Sequence, residues 1–477
     1  MKVLTDVIGV LNDYMWSYIL IVLLIGLGLL FSLRSRFVQF RYFGEMFRVL
    51  TDKSTISADG KRGISSFQAF TISTASRVGT GNLAGVASAI AAGGPGAVFW
   101  MWLIALLGGA SSFMESTLAQ IYKIKDEDGF RGGPAYYMER GLKKRWMGIL
   151  FAIVITFCYG LVFNSVQANT ISIAMDEGFA ISRWMIGLIL AALTGIIIFG
   201  GLKRIAHVTQ IVVPVMAVLY IILAIFVLAK HIGELPSMFS LIFEHAFGIR
   251  QFVGGGIGAA LMMGIKRGLF SNEAGMGSAP NAAATAAVSH PVKQGLIQTL
   301  GVFTDTIIIC TATAFMILLS GAYTDGPKGP QGIALTQAAL STHVGSWATL
   351  FVAVAIFLFA FSSVIGNYYY GETNIEFIKN SKVGIFVYRI AVIGMVYFGS
   401  VVEFGVVWSL ADLFMGIMAI INLIAVTMLA KVALAALKDY RAQRKAGKDP
   451  VFYSDSIPGL TGIDAWDKKP QQQRKVQ

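Results

Sequence analysis

Long apolar runs constrain this chain more than any other feature. Residues 16–33, 149–159, 186–200 and 211–229 are predominantly apolar and almost free of charge. A helix needs roughly 20 such residues to cross the hydrocarbon core of a bilayer, and buried helices of soluble domains do not repeat that length so often. Only 13% of the residues are charged, against about 25% in a typical soluble domain. The pattern predicts an all-α integral membrane protein with about eleven spans. They lie near 14–33, 65–91, 96–122, 147–175, 182–200, 207–230, 251–284, 296–321, 346–372, 384–402 and 406–436.

The net charge of +12 is a signal of topology. Most of the 38 Lys and Arg residues fall in alternate loops: 34–62, 123–145, Lys203 with Arg204, Lys293, 379–389, and the tail from Lys431. Basic loops stay in the cytoplasm, so the N-terminus is expected outside and the C-terminus inside, in a plasma membrane. The charge therefore implies no nucleic-acid partner. The first apolar run is followed directly by Arg34 and Arg36, without the small-residue cleavage site of a signal peptide, and is expected to be retained. Cys158 and Cys310 sit in apolar runs and are expected to be packing residues.

Two spans break the rules for a lipid-facing helix. The second contains Ser76-Arg77-Val78-Gly79-Thr80-Gly81-Asn82; the seventh contains Lys266-Arg267-Gly268 and runs on through Glu273, Gly275 and Gly277 to Pro280. Glycine costs about 1 kcal/mol in a helix interior and proline about 3, and charge at bilayer depth costs more. The two lie five spans apart, an odd offset, so equivalent segments run in opposite directions. This predicts a five-plus-five inverted-repeat core with two discontinuous helices and one extra N-terminal helix. The chain then divides into the extra span (1–33), a cytoplasmic loop (34–64), the first repeat (65–230), an extracellular loop (231–250), the second repeat (251–436) and a cytoplasmic tail (437–477). Phe37, Phe40, Tyr42, Phe43, Met46 and Leu50 recur at near-helical spacing among basic residues, as in a helix lying on the membrane surface. Residues 237–243 suggest the same on the outside. The tail is expected to be disordered beyond about Tyr453.

Where a membrane helix unwinds, its amides and carbonyls lose their partners, which is tolerated only around a cavity or ligand. Freed amides suit a carboxylate, and freed carbonyls suit a small cation. Gly79 and Gly81 allow close backbone approach, and Thr80 adds a hydroxyl. The break could otherwise serve only close helix packing, but Ser76, Arg77, Thr80 and Asn82 accompany the glycines. Ser362 and Ser363 in the ninth span are candidate cation ligands, or merely bond their own helix. Asn164, Gln167 and Asn169 in the fourth span either fix a ligand or staple helices. Arg77 with Glu273 would make a gate or a clasp. Glu115, Asp305 and Asp412 are proton sites or partners for buried basic residues.

Residues 93–108, Gly-Gly-Pro-Gly-Ala-Val-Phe-Trp-Met-Trp-Leu-Ile-Ala-Leu-Leu-Gly, resemble the signature of the alanine or glycine:cation symporter family. Residues 76–85, 270–275 and 368–372 are similar to that family as well, and the resemblance covers nearly the whole chain. It implies a leucine-transporter-like fold, with Na⁺ as coupling ion, no organic cofactor, and small neutral amino acids as cargo. By that similarity, Gly79, Thr80 and Gly81 hold the substrate carboxylate with Gln167 nearby, and Phe270 and Ser271 belong to the same pocket. One Na⁺ lies between the carbonyls of Ala75 and Val78 and the hydroxyls of Ser362 and Ser363, and a second uses Asn82. Many members carry tryptophan where this chain has Asn367, which widens the expected cargo from alanine and glycine to glutamine. The rivals are a proton-coupled carrier using Glu115, Glu273 or Asp305, a membrane enzyme and a channel. Neither a catalytic constellation nor a filter-like repeat is apparent. Oligomeric state is not encoded in any of these features.

Overall fold

The computed structural model describes residues 2–52, 63–126, 129–249, 256–323 and 329–468. Each of the eleven expected segments contains helix, and two of them, the second and the seventh, are interrupted. Seven form single helices long and apolar enough to cross a membrane, among them Ala97–Ile121, Arg145–Phe179, Pro291–Ser320 and Trp347–Ile378. The sixth, Pro214–Lys230, turns by 75° into Ile232–Ala246, so the surface segment expected at 237–243 is helical. Its outward side chains, such as Ile222, Ile225 and Phe226, face away from the protein.

The second and seventh spans are broken near their middles. Ser66–Arg77 is followed by two non-helical residues, Val78 and Gly79, after which the helix resumes at Thr80 and runs to Gly93. Ile257–Asn272 ends at Glu273, and Ala279–Thr285 resumes beyond two glycines at positive φ, Gly275 and Gly277. The first half-helix starts on a reciprocal cap: Gln68 N–H donates to Ser65 Oγ (3.2 Å), and Ser65 N–H donates to Gln68 Oε1 (3.0 Å). The backbone of Ala287 donates to Ile64 O at 2.9 Å, tying the start of the second span to the end of the seventh.

Three features depart from the sequence reading. The 321–346 connection contains a helix, Ile333–Val344, whose Thr336 hydroxyl donates to Leu83 O (3.0 Å) on the second half of the broken second span. The 123–144 loop contains a two-stranded hairpin and the helix Pro134–Arg140. The tail beyond Tyr453 is ordered through residue 468: Trp466 Nε1–H donates to Gln120 O (3.1 Å), Ser454 N–H donates to Asp467 O (2.9 Å), and Arg140 pairs with Asp464. Its composition is polar, but Phe452 and Trp466 pack ring to ring (5.2 Å) and anchor it. The expected disorder is thus overturned up to that point, and residues 471–475 lie outside the described part.

Candidate functional site

Both breaks expose backbone groups, and buried side chains from distant spans meet them. At the second-span break, Gly79 N–H donates to Asn82 Oδ1 (2.9 Å) and Thr80 N–H donates to Gln167 Oε1 (3.0 Å). These are the two amides that a carboxylate would take. The Thr80 hydroxyl is fully buried and has no partner among the described residues, an arrangement that costs about 1–3 kcal/mol unless a ligand fills it. On the other side of the break, Ser363 Oγ lies 2.8 Å from Ala75 O and 3.4 Å from Val78 O. The Ser363 hydroxyl thus meets two carbonyls freed at the break, hard oxygens of the kind that suit a small cation. Gly366, one turn along, lets the ninth span touch the backbone of Ser76, where a Cβ would stand 3.1 Å from Ser76 N.

Ser363 also donates to Phe359 O of its own helix at 3.1 Å, and Ser362 shares that acceptor without reaching the break. The Ser362 hydroxyl donates to Phe359 O at 2.8 Å, the self-bonding habit of membrane serines. The three amides of the fourth span also separate. Asn164 bonds Gly160 O in its own helix, Asn169 staples the tenth span through Gly399 O and Val402 O, and only Gln167 reaches the break.

Phe270 and Ser271 end the first half of the seventh span and face opposite partners. Phe270 stacks with Phe163 (4.6 Å between centroids) and Trp408 (4.8 Å), and its ring edge approaches Gly81. Arg267 lies over Trp408 (4.4 Å) and pairs with Asp412 at 2.8 Å, so Asp412 partners a buried cation. Ser271 Oγ–H donates to Asp305 Oδ2 (2.8 Å), which Thr306 also reaches, while Asn82 Nδ2–H donates to Asp305 Oδ1 (2.7 Å). Asn82, Ser271 and Asp305 thus form a second oxygen-rich cluster around one carboxylate. Cys310 packs against it, its Sγ 3.2 Å from Ser271 Oγ.

Asn367 is fully buried beside Ser76, whose Oγ lies 2.7 Å from both Asn367 Oδ1 and Glu273 Oε1. The Asn367 Nδ2 group has no partner among the described residues. Arg77 makes no ion pair with Glu273. Its Nη1 donates to the Gln298 side chain (3.1 Å), while Glu273 accepts from Ser76 and Ser278. A short serine between them intercepts the pairing.

The seventh-span break is closed by Glu115 of the third span. Its carboxylate accepts from Gly275 N (3.0 Å), Gly277 N (3.0 Å) and Asn422 Nδ2 (2.7 Å). This role had no sequence signal beyond a lone acid in an apolar span, because its partners lie about 160 and 307 residues away. Phe163 and Trp408 were likewise indistinguishable from core aromatics.

Two facing discontinuous helices, each met at its break by buried polar side chains, define a membrane secondary transporter. The family model of the sodium:alanine symporters matches residues 1–454, and the chain belongs to that family. It is a transporter and not an enzyme. A relative from Bacillus subtilis, the probable sodium/glutamine symporter GlnT, is 60% identical over 98% of this chain and 96% of its own. The amino-acid carrier protein AlsT of the same organism is 59% identical over 98% of both chains. Among solved structures, MhsT in complex with L-phenylalanine superposes with a TM-score of 0.52 at 14% identity, over 82% of this chain and 90% of that one. That likeness concerns the fold alone, which is leucine-transporter-like, as the sequence led us to expect.

Proposed function

We propose that this protein imports small neutral amino acids with Na⁺, by alternating access, across a plasma membrane in which its N-terminus faces outward and its C-terminus the cytoplasm. The observation that carries this reading is the pairing at one break of carbonyls facing Ser363 with amides facing Gln167 and Asn82. A zwitterion and a cation would each find their complement there. The carboxylate of the cargo replaces Gln167 Oε1 at the Thr80 amide and Asn82 Oδ1 at the Gly79 amide, and bonds the free Thr80 hydroxyl, with Gly81 giving room. One Na⁺ sits among Ala75 O, Val78 O and Ser363 Oγ, and a second at Asn82, Ser271 and Asp305. Entry of Na⁺ favours the state that binds cargo, since coupling is a difference in affinity between states. A proton-coupled mechanism through Glu115, Glu273 or Asp305 is not favoured in a family of sodium:alanine symporters, and each of these carboxylates is engaged by buried donors.

The deciding experiment is uptake of labelled alanine and glutamine into proteoliposomes, with and without an inward Na⁺ gradient. Uptake that follows pH and ignores Na⁺ would reject the proposal. Within it, Ser363→Ala is expected to raise the Na⁺ concentration for half-maximal uptake about tenfold, the worth of one good ligand, whereas Ser362→Ala changes it little. Equal effects of the two would remove the cation from this spot.

Glutamine belongs among the cargoes because Asn367 offers an unpartnered amide where a large ring would occupy space, and a sodium/glutamine symporter stands among the near relatives. Competition of labelled alanine uptake by a panel of amino acids should show glutamine competing in wild type and failing in Asn367→Trp. An unchanged panel in the variant removes Asn367 from the pocket wall.

A further inference from the structure

At the end of the first span the chain reverses over Ser35 and enters the surface helices Val38–Arg41 and Phe43–Leu50. The reversal uses two consecutive non-glycine residues in the left-handed region, Arg36 (φ 57°) and Phe37 (φ 55°). L residues adopt that conformation rarely, and glycine would adopt it freely. The strained turn borders a cavity of about 280 Å³, between this elbow and the inner end of the eleventh span.

Five basic side chains line that cavity: Arg34, Arg36, Arg41, Lys438 and Arg441. None of them makes an ion pair among the described residues. The nearby acids are engaged elsewhere, Glu45 with Arg48 and Arg444, and Asp439 with His290. Leu434, Leu437 and Tyr42 complete the lining. On the same elbow Leu33, Phe37, Phe40, Phe43 and Phe47 are exposed, continuing the apolar surface of the spans. Five uncompensated cations gathered round an apolar floor repel one another unless an anion joins them, and this cavity lies where the apolar runs of the first and eleventh spans end.

We propose that the cavity binds the headgroup of an anionic phospholipid from the adjoining leaflet. The phosphodiester lies among the arginines, and the glycerol and upper acyl chain run over Leu434 and Leu437 toward the exposed phenylalanines. Basic pockets beside the ends of spans have the charge and depth that such lipids need. A soluble phosphate would have no use for the apolar floor or the aromatic rim. The inference rests on the placement of the spans in a bilayer, not on the cargo or the coupling ion, so it stands or falls separately from the proposed function.

The test titrates phosphatidylglycerol onto the full-length, delipidated protein in detergent and follows retained lipid by native mass spectrometry, with phosphatidylcholine as the neutral comparison. Each basic residue near an anionic surface is worth about fivefold in binding, so the pair Arg36→Gln with Arg441→Gln should weaken retention about 25-fold. The pair Lys379→Gln with Lys382→Gln removes the same charge from a different loop and should change it less than about twofold. Arg36→Lys with Arg441→Lys should retain the lipid, and matching thermal midpoints show that each variant is folded. Three results would overturn the proposal: equal losses from both glutamine pairs, no preference of wild type for phosphatidylglycerol over phosphatidylcholine, or displacement of the lipid by millimolar inorganic phosphate, which would mark a soluble-anion site.

Discussion

Gly79→Ala is expected to reduce amino-acid uptake by roughly a hundredfold, the cost of displacing a reacting or binding group by about an ångström. A Cβ at this position would stand 2.2 Å from Ser363 Oγ and 2.9 Å from Gln167 Oε1. Both atoms end buried side chains that are hydrogen-bonded at the break, so moving them aside breaks the contacts to Ala75 O and to the Thr80 amide. The methyl group would push Ser363 from the freed carbonyls and Gln167 from the Thr80 amide, damaging the proposed cation and carboxylate sites together. Gly81→Ala meets Ser271 Cα at 3.0 Å and Phe270 Cδ1 at 3.1 Å and should be milder. The measurement is initial-rate uptake at matched amounts of protein in the membrane. Wild-type rates in Gly79→Ala would show that cargo and ion do not meet at this break.

The second large effect falls on stability. Glu115→Ala deprives the Gly275 and Gly277 amides and the Asn422 side chain of their shared acceptor. Asn422 Nδ2 keeps Gly275 O at 2.9 Å, but a buried donor left without a partner costs about 1–3 kcal/mol, so the two backbone amides together should cost about 2–6 kcal/mol. Glu115→Gln keeps an acceptor and loses the charge, and should fall between. Thermal unfolding of purified protein in detergent would register the loss as a lowered midpoint. An alanine variant as stable as wild type would mean that something other than Glu115 satisfies the unwound segment.

The spans and the two breaks were legible because their causes are local. An apolar run of sufficient length has one solvent it can enter, and glycines beside a charge in such a run interrupt it wherever it packs. The tail shows the limit of that reasoning. Polarity argued for disorder, yet Phe452 and Trp466 find surfaces provided by the third span and the 289–293 turn. Composition describes what a segment can bury by itself, not what another segment offers it.

The site divides along the same line. Sequence alone determined that a helix would break within Val78-Gly79-Thr80-Gly81 and release carbonyls and amides there, which the resemblance assigned to Ala75, Val78, Gly79 and Gly81. Only the tertiary structure decided who meets them. Ser363 faces the carbonyls while Ser362, about 100° round the same helix, turns back on its own chain. Gln167 reaches the break while Asn164 and Asn169 do not. Arg77 passes Glu273 for Gln298, and Glu115 serves a break in a span that begins well over a hundred residues later. A helix's own sequence sets where its hydrogen bonds fail. Which side chain repairs the failure depends on the rotation and depth of every neighbouring helix, and those are settled by packing across the whole bundle.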